Sequence, residues 1–170
     1  MPRDTSLGTV GVALNGIPIY NPFEDQNETS AYGRIFSGCC GHPQRDGVYH
    51  YHKYPTCLKL LDSSWKSEKD KCDEIDLLVT NNSHSPLIGF CIDGFPIYGA
   101  YAYKNTDGTG EIVRMKSSYQ LTNITTRTNG PDIGYVYTIP NGPKAGQEET
   151  FFLGYFREDY EFINHNEPDY

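Results

Sequence analysis

The sequence predicts a mainly β chain, a compact sandwich-like domain of short antiparallel strands and hairpins with at most one or two short helices. Three observations lead there. Gly (17) and Pro (11) are scattered among 14 Tyr and many Thr and Val, a composition of short strands joined by tight turns. Asn15-Gly16 and Asp93-Gly94 each stand between apolar segments, as turn dipeptides do in hairpins. Tyr49, His50, Tyr51 and His52 alternate with the period of a strand, so both histidines face one side and both tyrosines the other. At 170 residues the chain is long enough for one cored domain and short for two.

Taken in order, the first element is the stretch VGVALNGIPIY, residues 10 to 20. It returns as IGFCIDGFPIY, residues 88 to 98, at a constant offset of 78, with Gly, Gly, Pro, Ile and Tyr identical. Each copy is expected to form a two-residue type I′ hairpin, pairing Leu14 with Ile17 and Ile92 with Phe95. Pro18 and Pro96 then fall on pairs that are not hydrogen-bonded, where a missing N–H costs least on an edge strand. The echo implies two related hairpins in a pseudo-symmetric core. Between the copies, SSWKSEKDKCDEIDLL, residues 63 to 78, is charged and free of Gly and Pro. It is expected to be either a helix or a solvated loop with a helical turn, since its amphipathicity is poor. The tracts KNTDGTGE, residues 104 to 111, and NGPKAGQEE, residues 141 to 149, read as exposed turns.

Three of the five histidines lie in GCCGHPQRDGVYHYHKYPTC, residues 38 to 57. Arg45-Asp46-Gly47 suits a three-residue loop, a type I turn followed by Gly in the left-handed conformation. In that register Gln44 faces Val48, His42 faces His50 and Cys40 faces His52. His42, His50 and His52 then share one face, with opposed Cβ atoms about 5 Å apart and next neighbours on a strand about 7 Å apart. Three neutral imidazoles with a further position open are the ligand set of a catalytic-type Zn site, and they suit Cu(II) or Ni(II) as well. A two-residue loop would turn His42 to the opposite face and dismantle the site. The other reading is a rigid hairpin whose histidines and tyrosines hydrogen-bond to buried backbone.

With 22 acidic against 14 basic residues the net charge is -8, which opposes phosphate-backbone binding and makes nucleic acid an unexpected partner. The longest apolar run, LIGFCI at residues 87 to 92, falls far short of the roughly 20 residues a membrane-spanning helix needs. Five cysteines and the acceptors Asn27-Glu-Thr, Asn81-Asn-Ser and Asn123-Ile-Thr lean toward an extracellular or cell-surface glycoprotein. The opening MPRDTSLG carries no leader pattern, so an export signal is expected to have been cleaved or left out. Cys39 and Cys40, placed on a strand, would point to opposite sides. Cys57 is the economical partner for either, closing a loop worth about 3 kcal/mol in the chain-entropy model. Cys72 is the remaining disulfide candidate and Cys91 the expected buried free thiol, although two bridges among five cysteines allow 15 pairings.

These residues resemble the YHYH-domain family, in which Tyr49-His50-Tyr51-His52 would be the tetrad. The resemblance extends to VALNGIPIYNP near the start, the GHP before the tetrad, YPTCL after it, SHSPLIGFCIDGFPIYG at residues 83 to 99 and GYFREDYEF at residues 154 to 162. It implies a single YHYH-like domain over 1–170 in a secreted or surface protein, with no settled activity to carry over. Many relatives of this kind continue beyond the position of Tyr170, so the resemblance also implies either a domain processed or truncated at its C-terminal end or one whose last strand is supplied elsewhere.

The expected function is therefore nonenzymatic: a Cu or Zn ion held by the three histidines, or an extracellular structural subunit. A homopolymer would be held by strand addition, with TSLGTVGVAL as donor strand. Tyrosine-rich surfaces suit extended contacts of that kind. The alternative is a metal-dependent extracellular enzyme in which the three histidines hold a water and Asp93 or Asp46 serves as acid or base. No G-x-S-x-G, Gly-rich phosphate loop or H-E-x-x-H accompanies it.

Overall fold

The computed structural model describes residues 7–24, 36–55, 58, 83–140 and 144–165. Among these the chain is built from short strands, as the composition predicts. They are β1 (Thr9–Ala13), β2 (Pro18–Tyr20), β3 (Gly41–Pro43), β4 (Tyr49–Tyr51), β5 (Leu87–Cys91), β6 (Pro96–Tyr98), β7 (Tyr101–Tyr103), β8 (Ile112–Arg114), β9 (Tyr119–Leu121), β10 (Tyr135–Thr138), β11 (Glu148–Phe151) and β12 (Tyr160–Phe162). The first six form one open sheet in the order β3-β4-β2-β1-β5-β6, and the rest make three two-stranded ribbons. The helix considered over residues 63 to 78 lies outside the described residues. No helix among those described is long and apolar enough to cross a membrane.

The echoed segments form four adjacent strands of the six-stranded sheet, β2-β1-β5-β6. β1 pairs antiparallel with β5, with Val12 opposite Phe90, Gly11 opposite Cys91 and Ala13 opposite Gly89. The repeat offset carries Gly11 of the one pair onto Gly89 of the other, and Ala13 onto Cys91. The repeat is thus a local twofold axis through the Val12–Phe90 pair. Even the irregularities obey it, since β1 and β5 each carry a register shift at equivalent positions, Thr9/Gly11 and Leu87/Gly89. The repeated glycine has a steric cause. A Cβ on Gly11 would lie 2.7 Å from the Phe90 carbonyl oxygen, and one on Gly89 would lie 2.4 Å from that of Val12. Only glycine lets β1 and β5 approach this closely.

The turns within the repeat differ from the expected type. Ala13 N–H donates to Ile17 O and Gly16 N–H to Ala13 O, and Cys91, Phe95 and Gly94 repeat both bonds. The loops therefore have three residues, a type I turn closed by a left-handed glycine, with Ala13 opposite Ile17 and Cys91 opposite Phe95. A type I′ turn needs positive φ at both central residues. Here only Gly16 and Gly94 have it, at 80° and 90°. Asn15 and Asp93 stay out of the left-handed region and use their Oδ1 atoms to accept the N–H groups of Ile17 and Phe95, the turn-stabilising habit of Asx side chains.

A second buried region organises the C-terminal ribbons. Phe151, Tyr155 and Phe156 pack together, and beside them Arg127 and Asp159 form a fully buried ion pair. Asp159 Oδ1 accepts Arg127 Nε at 2.7 Å, while Oδ2 accepts Arg127 Nη2 at 2.8 Å and the N–H groups of Gly154 and Phe156 at 2.8 and 3.0 Å. Burial by itself would raise the Asp159 carboxyl, but the Arg127 guanidinium and the two backbone donors outweigh it and hold it below the usual carboxylate value. The GYFREDYEF segment is thus a folding device, a carboxylate that ties its own turn to the distant Arg127.

Candidate metal centre

The β3–β4 hairpin takes the register expected for a three-residue loop. Gln44 N–H donates to Val48 O and Gly47 N–H to Gln44 O, Gly47 has φ 83°, and His42 lies opposite His50. Type I turns followed by left-handed Gly have the twist that antiparallel strands need, and Arg45-Asp46-Gly47 supplies the residues. His42, His50 and His52 then converge, with one ring nitrogen from each lying within 4.8 Å of the others. Neither tyrosine of the tetrad joins them. Tyr49 Oη hydrogen-bonds Ser37 Oγ at 2.6 Å, and buried Tyr51 Oη accepts Asn15 Nδ2 at 3.0 Å. Burial raises the Tyr51 hydroxyl above the ordinary phenol value despite the Asn15 bond, so Tyr51 is a neutral strut between this hairpin and the β1–β2 turn.

Backbone carbonyls set the tautomers. His50 Nδ1 donates to Val48 O at 3.0 Å, and His52 Nδ1 donates to Asn21 O at 2.5 Å. A carbonyl can only accept, so each Nδ1 carries its proton and each Nε2 offers a lone pair when the ring is neutral. Those two Nε2 atoms face each other at 2.9 Å. Tyr20 stacks on the His50 ring with centroids 4.1 Å apart and donates its hydroxyl to Gln44 Oε1, which fixes the ring plane. His50 is 2% exposed, as is the His52 side chain.

The site has a second limb that the sequence reading missed. Immediately after β2 the chain runs Asn21-Pro22-Phe23-Glu24. Asn21 Oδ1 accepts the Phe23 N–H at 2.8 Å, a local turn that brings Glu24 back over the histidines. Glu24 Oε1 lies 3.3 Å from His42 Nε2 and 3.2 Å from His52 Nε2. The available signal was the point where the two repeat copies diverge. The first copy continues as NPFE and the second as GAYA, so the acid appears only in the half that holds the histidines.

The remaining candidate residues lie elsewhere. Asp93 and Asp46 are exposed turn residues, and Asp93 is occupied with its own turn. Asn123 is exposed after β9, whereas Asn27 and Asn81 fall outside the described residues. Cys39 and Cys40 are both disulfide-bonded, and Cys57 and Cys72, the partners the sequence offers, are outside the described residues. The vicinal pair does not sit on a strand. Cys40 N–H donates to Ser37 O and Ser37 N–H to Gly41 O, so residues 38–40 form another three-residue loop and Cys40, with φ 62°, takes the left-handed position held by Gly47 in the neighbouring turn. The ladder consequently ends at the Gly41–Tyr51 pair, one step short of the expected Cys40–His52 pairing. Cys91 is free, though half-buried rather than buried.

Against known proteins, the model of the YHYH protein family matches residues 2–169. The chain belongs to the YHYH family. No curated protein matches it, and no solved structure matches it. In this YHYH protein the tetrad has a physical division of labour: its histidines point into the cluster and its tyrosines brace the hairpin from other sides.

Proposed function

We propose that this YHYH protein is a noncatalytic extracellular or cell-surface protein whose His42, His50 and His52 hold one divalent transition-metal ion, Zn or Cu(II). The observation that carries the reading is the Nε2–Nε2 contact of His50 and His52 at 2.9 Å, made while both Nδ1 atoms donate to carbonyls. Two lone pairs at that distance repel unless an electrophile lies beside them. A proton is one such occupant and a metal ion the other, and a third imidazole converging on the same point favours the metal. Exchange of one for the other makes binding release a proton and weaken as pH falls. The disulfide-bonded Cys39 and Cys40 support an oxidising compartment, and exposed Asn123 can carry a glycan.

Calorimetric titration of metal-stripped protein with Zn and with Cu(II), paired with elemental analysis, tests this. One ion per chain is expected, and His50→Ala or His42→Gln should weaken it by more than the roughly 10–100-fold typical of lost supporting contacts. Equal binding by both variants, or no stoichiometric binding by the parent, overturns the reading.

A structural-subunit reading is favoured by a separate observation. Val12 and Phe90, the pair on the local twofold, are 44% and 47% exposed, and Leu14 and Ile92 nearby are 42% and 72% exposed, leaving an apolar row for contact between copies. Donation of residues 5 to 14 is a poor mechanism for it, since β1 is already paired on both sides by β2 and β5. Light scattering of the parent and of Ile92→Glu at high concentration decides whether that row carries self-association.

A further inference from the structure

We propose that Glu24 is a fourth protein ligand, so that the ion sits in a closed three-histidine, one-carboxylate sphere suited to tetrahedral Zn. The inference rests on the triad holding an ion and adds what the triad leaves open, namely whether water or substrate reaches the metal. Ligands about 2.0 Å from a tetrahedral ion lie about 3.3 Å from one another. Glu24 Oε1 stands at 3.3 Å from His42 Nε2 and 3.2 Å from His52 Nε2, which are edge lengths of such a tetrahedron. His50 Nε2, at 2.9 Å from His52 Nε2, supplies the remaining corner with a bond angle near 90°, opened by a small ring shift.

Charge and burial agree with the geometry. A carboxylate among three mostly buried imidazoles, itself 12% exposed at the side chain, offsets half the charge of a divalent ion, which lowers the cost of holding the ion away from water. The consequence is mechanical. Glu24 follows β2, while the histidines sit on and beside β3 and β4, and β2 meets β4 through the single parallel pair Ile19–Tyr51. A shared ion would staple this thin junction, holding the Tyr20–Glu24 limb to the hairpin. Structural Zn sites are closed in this way, whereas catalytic ones keep a water position.

The test is Co(II) substitution read by visible absorption. The parent is expected to show the intense bands of four-coordinate Co(II) and no change on adding azide, because no position is open. Glu24→Ala should bind Co(II) and Zn at least 10-fold more weakly and should respond to azide, with an unchanged far-UV circular dichroism spectrum. Parent protein whose Co(II) spectrum shifts with azide overturns the closed sphere without use of any variant. Glu24→Ala with parental affinity and spectrum overturns the assignment of the ligand. Failure of the parent to bind Co(II) or Zn at all removes the triad reading itself, a result distinct from the other two.

Discussion

Replacing Asp159 with Asn tests the second buried region most directly. The side chains are nearly isosteric, so packing is kept while the charge is lost. In the parent, Oδ2 receives three donors, from Arg127 Nη2, Gly154 and Phe156, and Oδ1 receives Arg127 Nε. An Asn amide satisfies only one side of this arrangement. With its oxygen facing the three donors, its NH2 group faces the Arg127 Nε–H, donor against donor, and a guanidinium with no exposed surface loses its counter-charge. Breaking one partner of a buried pair costs about 3–5 kcal/mol. For a domain of this size that corresponds to a fall in Tm of about 6–20 °C. Differential scanning calorimetry and urea unfolding provide the measurement.

Acid adds a second readout of the same substitution. Because the folded Asp159 pKa lies below its unfolded value of about 3.9, its contribution is present above that value and is lost as pH falls through the folded pKa. Parent protein should therefore lose this stability below about pH 4, and the Asn variant should lack that part of the slope. Arg127→Met combined with Asp159→Asn should recover part of the loss, since no charge is then left buried. A single-variant cost below about 1 kcal/mol, the range of a surface ion pair, would refute the reasoning.

The close approach of β1 and β5 predicts that Gly89→Ala destabilises by at least about 2 kcal/mol, because its Cβ would meet backbone atoms at 2.4 and 2.9 Å. Gly16→Ala has open space around it and should cost only the roughly 1 kcal/mol of left-handed backbone; urea unfolding distinguishes the two. Deleting Asp46 shortens the hairpin loop by one residue and should turn His42 to the opposite face. Zn binding is expected to vanish while far-UV circular dichroism shows a folded β protein, and retained binding would detach the site from the register. Tyr51→Phe removes the bond to Asn15 and should cost about 1 kcal/mol in chemical denaturation. Protein from a glycosylating host should lose mass on glycosidase treatment through a glycan on Asn123, read by intact-mass spectrometry.

Short-range pattern carried most of the β reading. Alternation in Tyr49-His50-Tyr51-His52 and the Arg45-Asp46-Gly47 turn are local properties, governed by strand pleat and by the φ values glycine tolerates, and together they place His42 opposite His50. The repeat was visible for the same reason, as two copies of one local chemistry. Its turn type was misread because Asn-Gly and Asp-Gly serve both two- and three-residue loops. The Asn15 and Asp93 side chains that accept N–H groups two residues on are part of the dipeptide, but the choice of loop length is made by the flanking ladder, which the dipeptide does not encode.

Glu24 was illegible for a different reason. It is separated from His42 and His52 by a long stretch of chain, and no periodicity links an acid after one strand to histidines on another hairpin. Only the pairing of Ile19 with Tyr51 and the turn closed by Asn21 bring its carboxylate to the imidazoles. The Arg127–Asp159 pair is of the same kind: each residue alone reads as an ordinary surface charge, and burial becomes apparent only when the aromatic cluster closes over both. Local geometry belongs to neighbours along the chain and can be inferred from them. Convergence of distant groups depends on how sheets and turns assemble, which is a property of the packed chain.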